Sequence, residues 1–525
     1  MVHNKEKLQI IIILDNEQIP NWEFAFIKKL QNSTFAEIIQ IFICPNNQKS
    51  PSSFSLKIYQ KFDSRFDISE NALSLKSINN ISINNQKILQ TNSLDKIIKN
   101  LIKNNDFHID LIISFTEQNF SEKVIAISKN GLWKLVHGKK STKYPSGFKE
   151  VINEESIIES KIISYKNNSQ YLISNSFSAT DNFSVKRTMN PIYWKGISML
   201  LKSIKNLSFS EQNFSENQKF TELNLHEKIN FIYLLKSLYK KYDDYKKYAN
   251  NYFEQWILMY NFEPSTTFEF DKFKKLIPKP NRIWADPFVI FFENSYHVFF
   301  EDMSLENNLG SISHIEIDEN GLISEPKSIL KKKFHLSYPF IFEFDGVKYM
   351  IPETSSNNKI DVYKCMNFPN KWEFHKTIID KIQAVDTTIF HHNNKWWMFT
   401  GILENNGVSS WDEVSLFYSD NPIETDWIPH PSNPIISDVR QARPAGNIFE
   451  LDGKICRPSQ NSSQGYGYGI SLNEIKIMNE NEYLEKPITK LLPKWDDEII
   501  GLHTINHINN LTVIDAKYQR NKNNV

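Results

Sequence analysis

From Leu8 the chain reads LQIIIILD, then a mixed polar and apolar stretch from Asn21 to Leu30, then AEIIQIFI. Two strands apolar on both faces around a helical stretch predict the strand, helix, strand unit of a buried parallel sheet. DLIISF, from Asp110 to Phe115, predicts a further buried strand. An α/β three-layer domain over residues 1–207 follows. Between Ser208 and Asn217 the chain turns Ser- and Asn-rich, and Leu225, Ile229, Ile232, Leu235 and Leu238 then recur at helical spacing. Residues 208–252 are therefore read as a linker and a long helix.

The second half repeats itself. DPFVIFFENSYHVFFE from Asp286, YPFIFEFDGVKYMIPE from Tyr338, DTTIFHHNNKWWMFTG from Asp386, AGNIFELDGKICRPSQ from Ala445 and LHTINHINNLTVIDAK from Leu502 each read as strand, two-residue turn, strand. The Asp-Gly and Asn-Asn turns at Asp345, Asn393, Asp452 and Asn509 suit the positive φ of tight hairpins. Successive starts lie 52, 48, 59 and 57 residues apart, long enough for a four-stranded blade each time. An all-β five-bladed propeller over residues 253–516 is the expectation, with FEQWILMY (Phe253 to Tyr260) as the outer strand of the last blade and a tail at 517–525.

Charge then narrows the function. Lys+Arg 61 against Asp+Glu 61 balance to zero, so neither a nucleic-acid backbone nor an anionic membrane is the expected partner. The apolar run Ile10 to Leu14 is too short to span a membrane, and no secretory leader is read at Met1 to Lys7. Three cysteines, Cys44, Cys365 and Cys456, are far apart and form no C-x-x-C pair, which fits a reducing, cytoplasmic setting without a thiolate metal site. His391 and His392 are neighbours on a strand and point oppositely, so no metal is assigned to them.

First strands of propeller blades begin beside the axis, so equivalent positions converge. The converging set is Asp286, Tyr338, Asp386, Arg443 and His503, and the ends of second strands add Glu301, Asp302, Glu353, Arg457 and Gln460. Such a cluster of acids, arginines and a histidine marks a ligand site, set against the alternative of a channel of satisfied ion pairs.

Trp284 to Phe288 (WADPF) followed by the five-fold hairpin repeat resembles the five-bladed glycosidases that act on arabinans and xylans. That resemblance implies Asp286 as general base and Asp386 as the residue tuning the acid. The acid itself is expected in the fourth blade, where this chain has Arg443, which cannot give up a proton near neutral pH but can clamp an anionic group. Glu353 or Glu301 is the remaining source of the acid. A closer resemblance, over about residues 253–516, is to the N-terminal propeller of plant glucosamine inositolphosphorylceramide transferases and of bacterial surface-glycan proteins. WADPF, the PET at Pro352 to Thr354, Val385-Asp386, SDVRQARPAGNIFELDGKICRPSQ, YGYGISL and GLHTIN carry it. It implies a role in surface polysaccharide or glycolipid synthesis.

The front domain is similar to the formyltransferase fold through its opening strand-helix-strand, DLIIS, GLWKLVHG and PSGFKEV. His137 matches the family's histidine, while Leu135 stands where its oxyanion-holding Asn is needed and Asn167 or Asn168 where its Asp is needed. Formyl transfer is therefore not expected of it. Three functions stay open. One is a glycosyl or acyl transferase working in the propeller with Asp286, Asp386 and Glu353, with no obligatory cofactor, a nucleotide sugar as donor and a glycan carrying an anionic group as ligand. The second is a glycoside hydrolase using Asp286 with Glu353 or Glu301. The third is a glycan-binding scaffold.

Overall fold

The computed structural model describes residues 6–45, 54–81, 88–91, 108–139, 144–209, 231–262, 268–405 and 407–522. Contacts divide the chain into two compact units, residues 1–236 with 405–408 and residues 237–404 with 409–525.

The first unit is built on a mixed seven-stranded sheet. Its parallel part runs in the order Ile88–Gln90, Ala36–Ile43, Leu8–Leu14, Leu111–Ser114 and Leu132–His137, and the hairpin of Ile157–Lys166 and Ser169–Ala179 extends it antiparallel. Leu8–Leu14 is central, which explains its uninterrupted isoleucines. Ile10 and Ile12 pack with Trp22, Phe26 and Ile27 of helix Asn21–Gln31 and with Trp194, Ile197 and Leu200 of helix Val185–Phe209. Ile11 and Ile13 face the opposite side, against Val124 and Ile125 of the short helix Glu122–Ile125. The chain order reverses between Leu8–Leu14 and Leu111–Ser114, so a switch point lies at their carboxyl ends.

The second unit is a five-bladed propeller. Blade one is Arg282–Phe292, Ser295–Ser304, Leu309–Asp318 and Lys327–Leu330; blade two is Ser337–Phe344, Val347–Glu353, Lys359–Asn367 and Lys371–Asp380. Blade three opens with Ala384–His392, Lys395–Ile402 and Glu413–Ser419, and blade four is Phe449–Leu451, Lys454–Asn461, Gly469–Met478 and Tyr483–Leu491. The hairpin turns carry the left-handed residues expected of them: Glu293 and Asn294, Asp345 and Gly346, Asn393 and Asn394, Asp452 and Gly453, and Asn509 all have positive φ.

Blade five takes strands from both ends of the unit. Ile505–Ile508 pairs with Leu511–Asn521, which pairs along its length with Tyr252–Asn261, which in turn pairs with Lys274–Leu276. The closing strand is thus third in its blade, where the sequence placed it outermost, because the three-residue Lys274–Leu276 lies outside it. The last strand runs to Asn521, beyond the expected tail boundary at 517, since Tyr252–Asn261 gives it pairing partners up to that residue. Ala445 and Leu502 lie just ahead of the strands they were expected to start, Phe449–Leu451 and Ile505–Ile508. A helix spans Phe231–Asn251; the linker from residue 210 and the apolar positions Leu225 and Ile229 lie outside the described residues.

Leu258, on the closing strand, is fully buried among Val298, Phe300 and Val513. Leu258→Ala is expected to cost about 2–5 kcal/mol in urea unfolding of the full chain. A loss below about 1 kcal/mol would show that this strand does not seal the propeller core.

Candidate functional site

Blades one, two and three share one local distortion. Register between first and second strands slips between Ala285 and Phe288, between Ser337 and Phe340, and between Val385 and Thr388, so two residues oppose one each time. These are β-bulges, which re-aim a side chain and bend the strand. The first residue of each bulge has positive φ: Asp286 at 51°, Tyr338 at 45° and Asp386 at 50°. Left-handed backbone is unfavourable for L residues, more so for a tyrosine than for an aspartate, so these positions need outside support.

That support is a circuit of hydrogen bonds through all five blades. Asp286 N–H donates to Asp515 Oδ2 at 2.9 Å, and the Asp286 carboxylate accepts Thr504 Oγ1 at 2.8 Å and Tyr338 N–H at 3.3 Å. The Tyr338 hydroxyl accepts Gly446 N–H at 2.8 Å and lies 2.8 Å from Thr388 Oγ1. Gly446, at φ 127°, brings the backbone so close to Ile505 that a Cβ would sit 2.0 Å from its carbonyl oxygen. Asp386 N–H donates to Glu353 Oε2 at 3.3 Å, and its carboxylate accepts Arg443 Nε at 2.5 Å, Arg443 Nη2 at 3.1 Å and Gln460 Nε2 at 2.9 Å.

His503 closes the ring between blades five and one. Its Nδ1 lies 2.5 Å from Asp515 Oδ2, a close ion-pair approach outside hydrogen-bond angles, and its Nε2 lies 3.7 Å from Asp286 Oδ1. Its ring stacks on Trp256 at 4.1 Å and meets the edge of Tyr466 at 5.1 Å. Asp515 Oδ1 also accepts the backbone N–H groups of His503 and Thr504. The ligand atoms of Asp286, His503 and Asp515 lie within 4.8 Å of one another, and the carboxylate oxygens among them also accept these O–H and N–H donors.

Burial pushes the Asp286 carboxyl well above the carboxylate range, to about 7; His503 opposes the shift, and Asp386, Glu301 and Asp515 add to it. Glu353 is also raised, first by burial and then by the Asp386 charge, with Arg443 working the other way. For His503, burial alone would lower the pKa, but Asp515 and Asp286 outweigh it and leave it raised. The site therefore favours the protonated forms of these three groups more than open water does.

The remaining expected residues divide. Glu301 pairs with His335 at 3.1 Å and adds its charge to the Asp286 environment. Gln460 joins the Asp386 cluster, with its buried Oε1 lacking a partner. Asp302, next to Glu301 and so on the opposite strand face, is taken up by Arg282, Trp284 and Ser313 within blade one. Arg457 is committed to Glu485 and to the carbonyls of Ala442 and Gln441, a buried brace of blade four. Arg443, expected to clamp an anionic ligand, instead forks onto Asp386, with Nη1 on Ser410 and Nη2 3.7 Å from Glu353. Its charge answers the protein's own carboxylates.

Sequence reading missed the aromatic wall. Half-buried Trp256, Trp411 and Tyr466 surround this cluster: Tyr466 stacks on Trp411 at 6.0 Å, meets Trp256 at 6.2 Å and lies 5.3 Å from the Arg443 guanidinium. Gly467, at φ 72°, lets this loop lie on Trp256, whose ring a Cβ would meet at 2.4 Å. The repeated glycines around Tyr466 and Tyr468 were the available signal.

In the first unit His137 is buried, its Nδ1 2.8 Å from Ser160 Oγ and its Nε2 without a partner, and burial and then Lys195 hold its pKa down at about 3. Asn167 and Asn168 are the exposed, positive-φ turn of the Ile157–Lys166 and Ser169–Ala179 hairpin. His137 pairs with Ser160, at the other end of that strand, so neither asparagine stands beside it. At the switch point Asp15 is raised to about 6, by burial and then Glu117, and Glu23 to about 8, by burial and then Asp15.

Residues 274–498 match the family model described as "Glucosamine inositolphosphorylceramide transferase 1, N-terminal". The propeller resembles that N-terminal domain. Glucosamine inositolphosphorylceramide transferase 1 of Arabidopsis thaliana is 33% identical over 209 residues, 39% of this chain and 27% of the relative. The protein of that name from Oryza sativa subsp. japonica is 30% identical over 212 residues, 40% of this chain and 28% of the relative. The chain thus spans little more than a quarter of the length of these relatives. Among solved structures, the family 117 glycoside hydrolase Zg3597 of Zobellia galactanivorans aligns at 11% identity over 50% of this chain and 90% of its own, with a TM-score of 0.33. RS223-β-xylosidase aligns at 16% identity over 40% of this chain and 75% of its own, with a TM-score of 0.31. Neither likeness to a solved structure carries an argument about activity.

Arg443→Ala is expected to cost about 3–5 kcal/mol in equilibrium unfolding, because it leaves Asp386 buried and unpaired. Arg443→Ala with Asp386→Ala should recover part of that loss; a double variant no better than the single one would contradict the pairing. The folded chain keeps the Asp286 proton up to about pH 7, whereas the unfolded chain releases it near the ordinary value of about 4. Stability from this group is therefore lost as pH rises through that window. Wild type should lose stability relative to Asp286→Asn between about pH 4 and 7 in urea titrations, and a pH-independent gap would contradict the shift.

Proposed function

We propose that the protein is a carbohydrate-active enzyme, a glycosyl transferase of glycolipid or surface-glycan assembly, with its reaction at the axial cluster of the propeller. The observation that carries this reading is the axial cluster itself, in which buried Asp286 and Asp386 and half-buried Glu353 lie beside an aromatic wall, with Asp286 raised to about 7 and Glu353 raised above the ordinary carboxylate range. Trp256, Trp411 and Tyr466 offer faces for a sugar ring. Asp286, poised near neutrality, takes the proton of an acceptor hydroxyl as that oxygen bonds to the anomeric carbon, and Glu353 returns a proton to the departing oxygen. Asp386, held by Arg443 and Gln460, sets the charge beside Glu353.

The ligand follows from charge. With Arg443 answering Asp386, and with neighbouring carboxylates among the causes that raise both Asp286 and Glu353, an anionic sugar is disfavoured and a neutral or amine-bearing one is favoured. The relatives' printed name, with its glucosamine and inositolphosphorylceramide, supports an amino sugar and a phosphoinositol lipid as the two substrates. A nucleotide sugar is the donor class, and three unpaired cysteines support a reducing, cytoplasmic setting. The first unit is read as a formyltransferase-like scaffold without formyl transfer, on the grounds of Leu135 and of the asparagine turn far from His137.

Hydrolysis is the second reading, because the same carboxyl pair could serve water as acceptor. The test is incubation of the full chain with a labelled nucleotide hexosamine and an inositol phosphoceramide, counting glycosylated lipid and free sugar. Lipid product that falls at least about 100-fold in Asp286→Asn and in Glu353→Gln supports transfer. Free sugar alone, lost in the same variants, supports hydrolysis, and equal counts in all three proteins would overturn both.

A further inference from the structure

We propose that Asp515 is a positioning residue: it holds His503 as an imidazolium against Asp286, and this cation keeps Asp286 available as a base in neutral water. The inference rests on the reading of Asp286 as the reacting carboxyl and adds the residues that act through it.

Geometry carries it. Asp515 is fully buried on the last strand and gathers the backbone N–H groups of Asp286, His503 and Thr504 together with the His503 Nδ1 edge. Four groups from the two blades that meet at the seal of the ring are thereby fixed around one carboxylate. Trp256, from the closing strand, stacks on the imidazole, and Tyr466 meets its edge, so the ring has one orientation and Nε2 is left aimed toward Asp286. Three backbone N–H donors hold Asp515 as a carboxylate, and its charge then faces the imidazole edge of His503.

The charged groups around the pair are few. His503 faces Asp515 and Asp286, with Asp386 farther off, and the aromatic faces of Trp256 and Tyr466 cover it. Asp286 faces His503, with Asp386, Glu301 and Asp515 as the nearer charges and Glu353 and His335 also within its field, and it accepts from Thr504 and Tyr338. Burial and the carboxylates in that set favour the protonated form of Asp286, whereas the His503 cation, together with the Thr504 and Tyr338 donors, favours the ionised one. Without the cation, Asp286 would stay a carboxylic acid at neutral pH, as a burial-dominated acid does, and could not accept a proton.

Imidazole nitrogen and carbon-bound proton shifts in the NMR spectrum of the full chain, assigned to His503 by difference with His503→Gln, read its charge without any turnover. His503 is expected to remain protonated at pH 7 in wild type and to be neutral there in Asp515→Asn. A His503 already neutral at pH 7 in wild type would overturn the proposal. In the transfer assay, the ascending limb of kcat/KM against pH should move up by about one unit or more in folded His503→Gln, with little change at high pH. A purely structural histidine would lower the rate at every pH without moving the limb, and that result would also overturn it. If wild type transfers no sugar, the NMR result still decides the charge of His503, so the failure of the enzyme reading and the failure of this one remain separate.

Discussion

Three bulges at equivalent places in successive blades are the constraint on which the rest depends. Asp286, Tyr338 and Asp386 sit in left-handed backbone, which costs on the order of 1–3 kcal/mol at each residue. The return is direction: each bulge turns one side chain from the sheet toward its neighbours on the next blade. The same side chains then supply the hydrogen bonds that hold the bulges, so the strain and its remedy are one network. Tyr338 illustrates the economy, because its backbone N–H serves Asp286 while its hydroxyl binds the Gly446 segment of blade four.

Closing a propeller from two distant chain segments brings blade five against blade one, and that seam is where the most unusual chemistry sits. Asp515 comes from the last strand, Thr504 from the segment just ahead of Ile505–Ile508, Trp256 from the early closing strand and Asp286 from blade one. A carboxylate, an imidazole and a second carboxyl share a space that excludes water, so protonation there is set by neighbours and not by solvent. Sealing the fold and tuning the site are, on this account, the work of the same residues.

Much of the propeller was legible because its signals are local. Asp345-Gly346 and Asp452-Gly453 announce their own turns, and alternation within each hairpin announces the strands. Asp286 and Asp386 could be brought together from sequence because the repeat period maps them onto one position. Arg443 could not be read the same way: its partner is Asp386 on another blade, and only packing decides whether a guanidinium meets a ligand or an internal acid. Arg457 was misread for the same reason, since Glu485 lies on a different strand of its blade. Trp256, Trp411 and Tyr466 come from the closing strand and two loops, which lie outside the repeated hairpins. Lys274–Leu276 was missed because three residues carry too little pattern to call a strand. In the first unit the central isoleucine strand was plain, whereas the sheet order around it follows from long-range pairing.

The central claim is that desolvation at the propeller axis and the Asp386 charge raise the Glu353 carboxyl far enough to keep it protonated in neutral water. Infrared difference spectroscopy of the full chain at pH 7, wild type minus Glu353→Gln, addresses it directly, because a carboxylic acid and a carboxylate absorb in separate regions. The account predicts a carboxylic-acid carbonyl band that is present in wild type at pH 7 and missing from Glu353→Gln. A difference spectrum containing only carboxylate bands would contradict it.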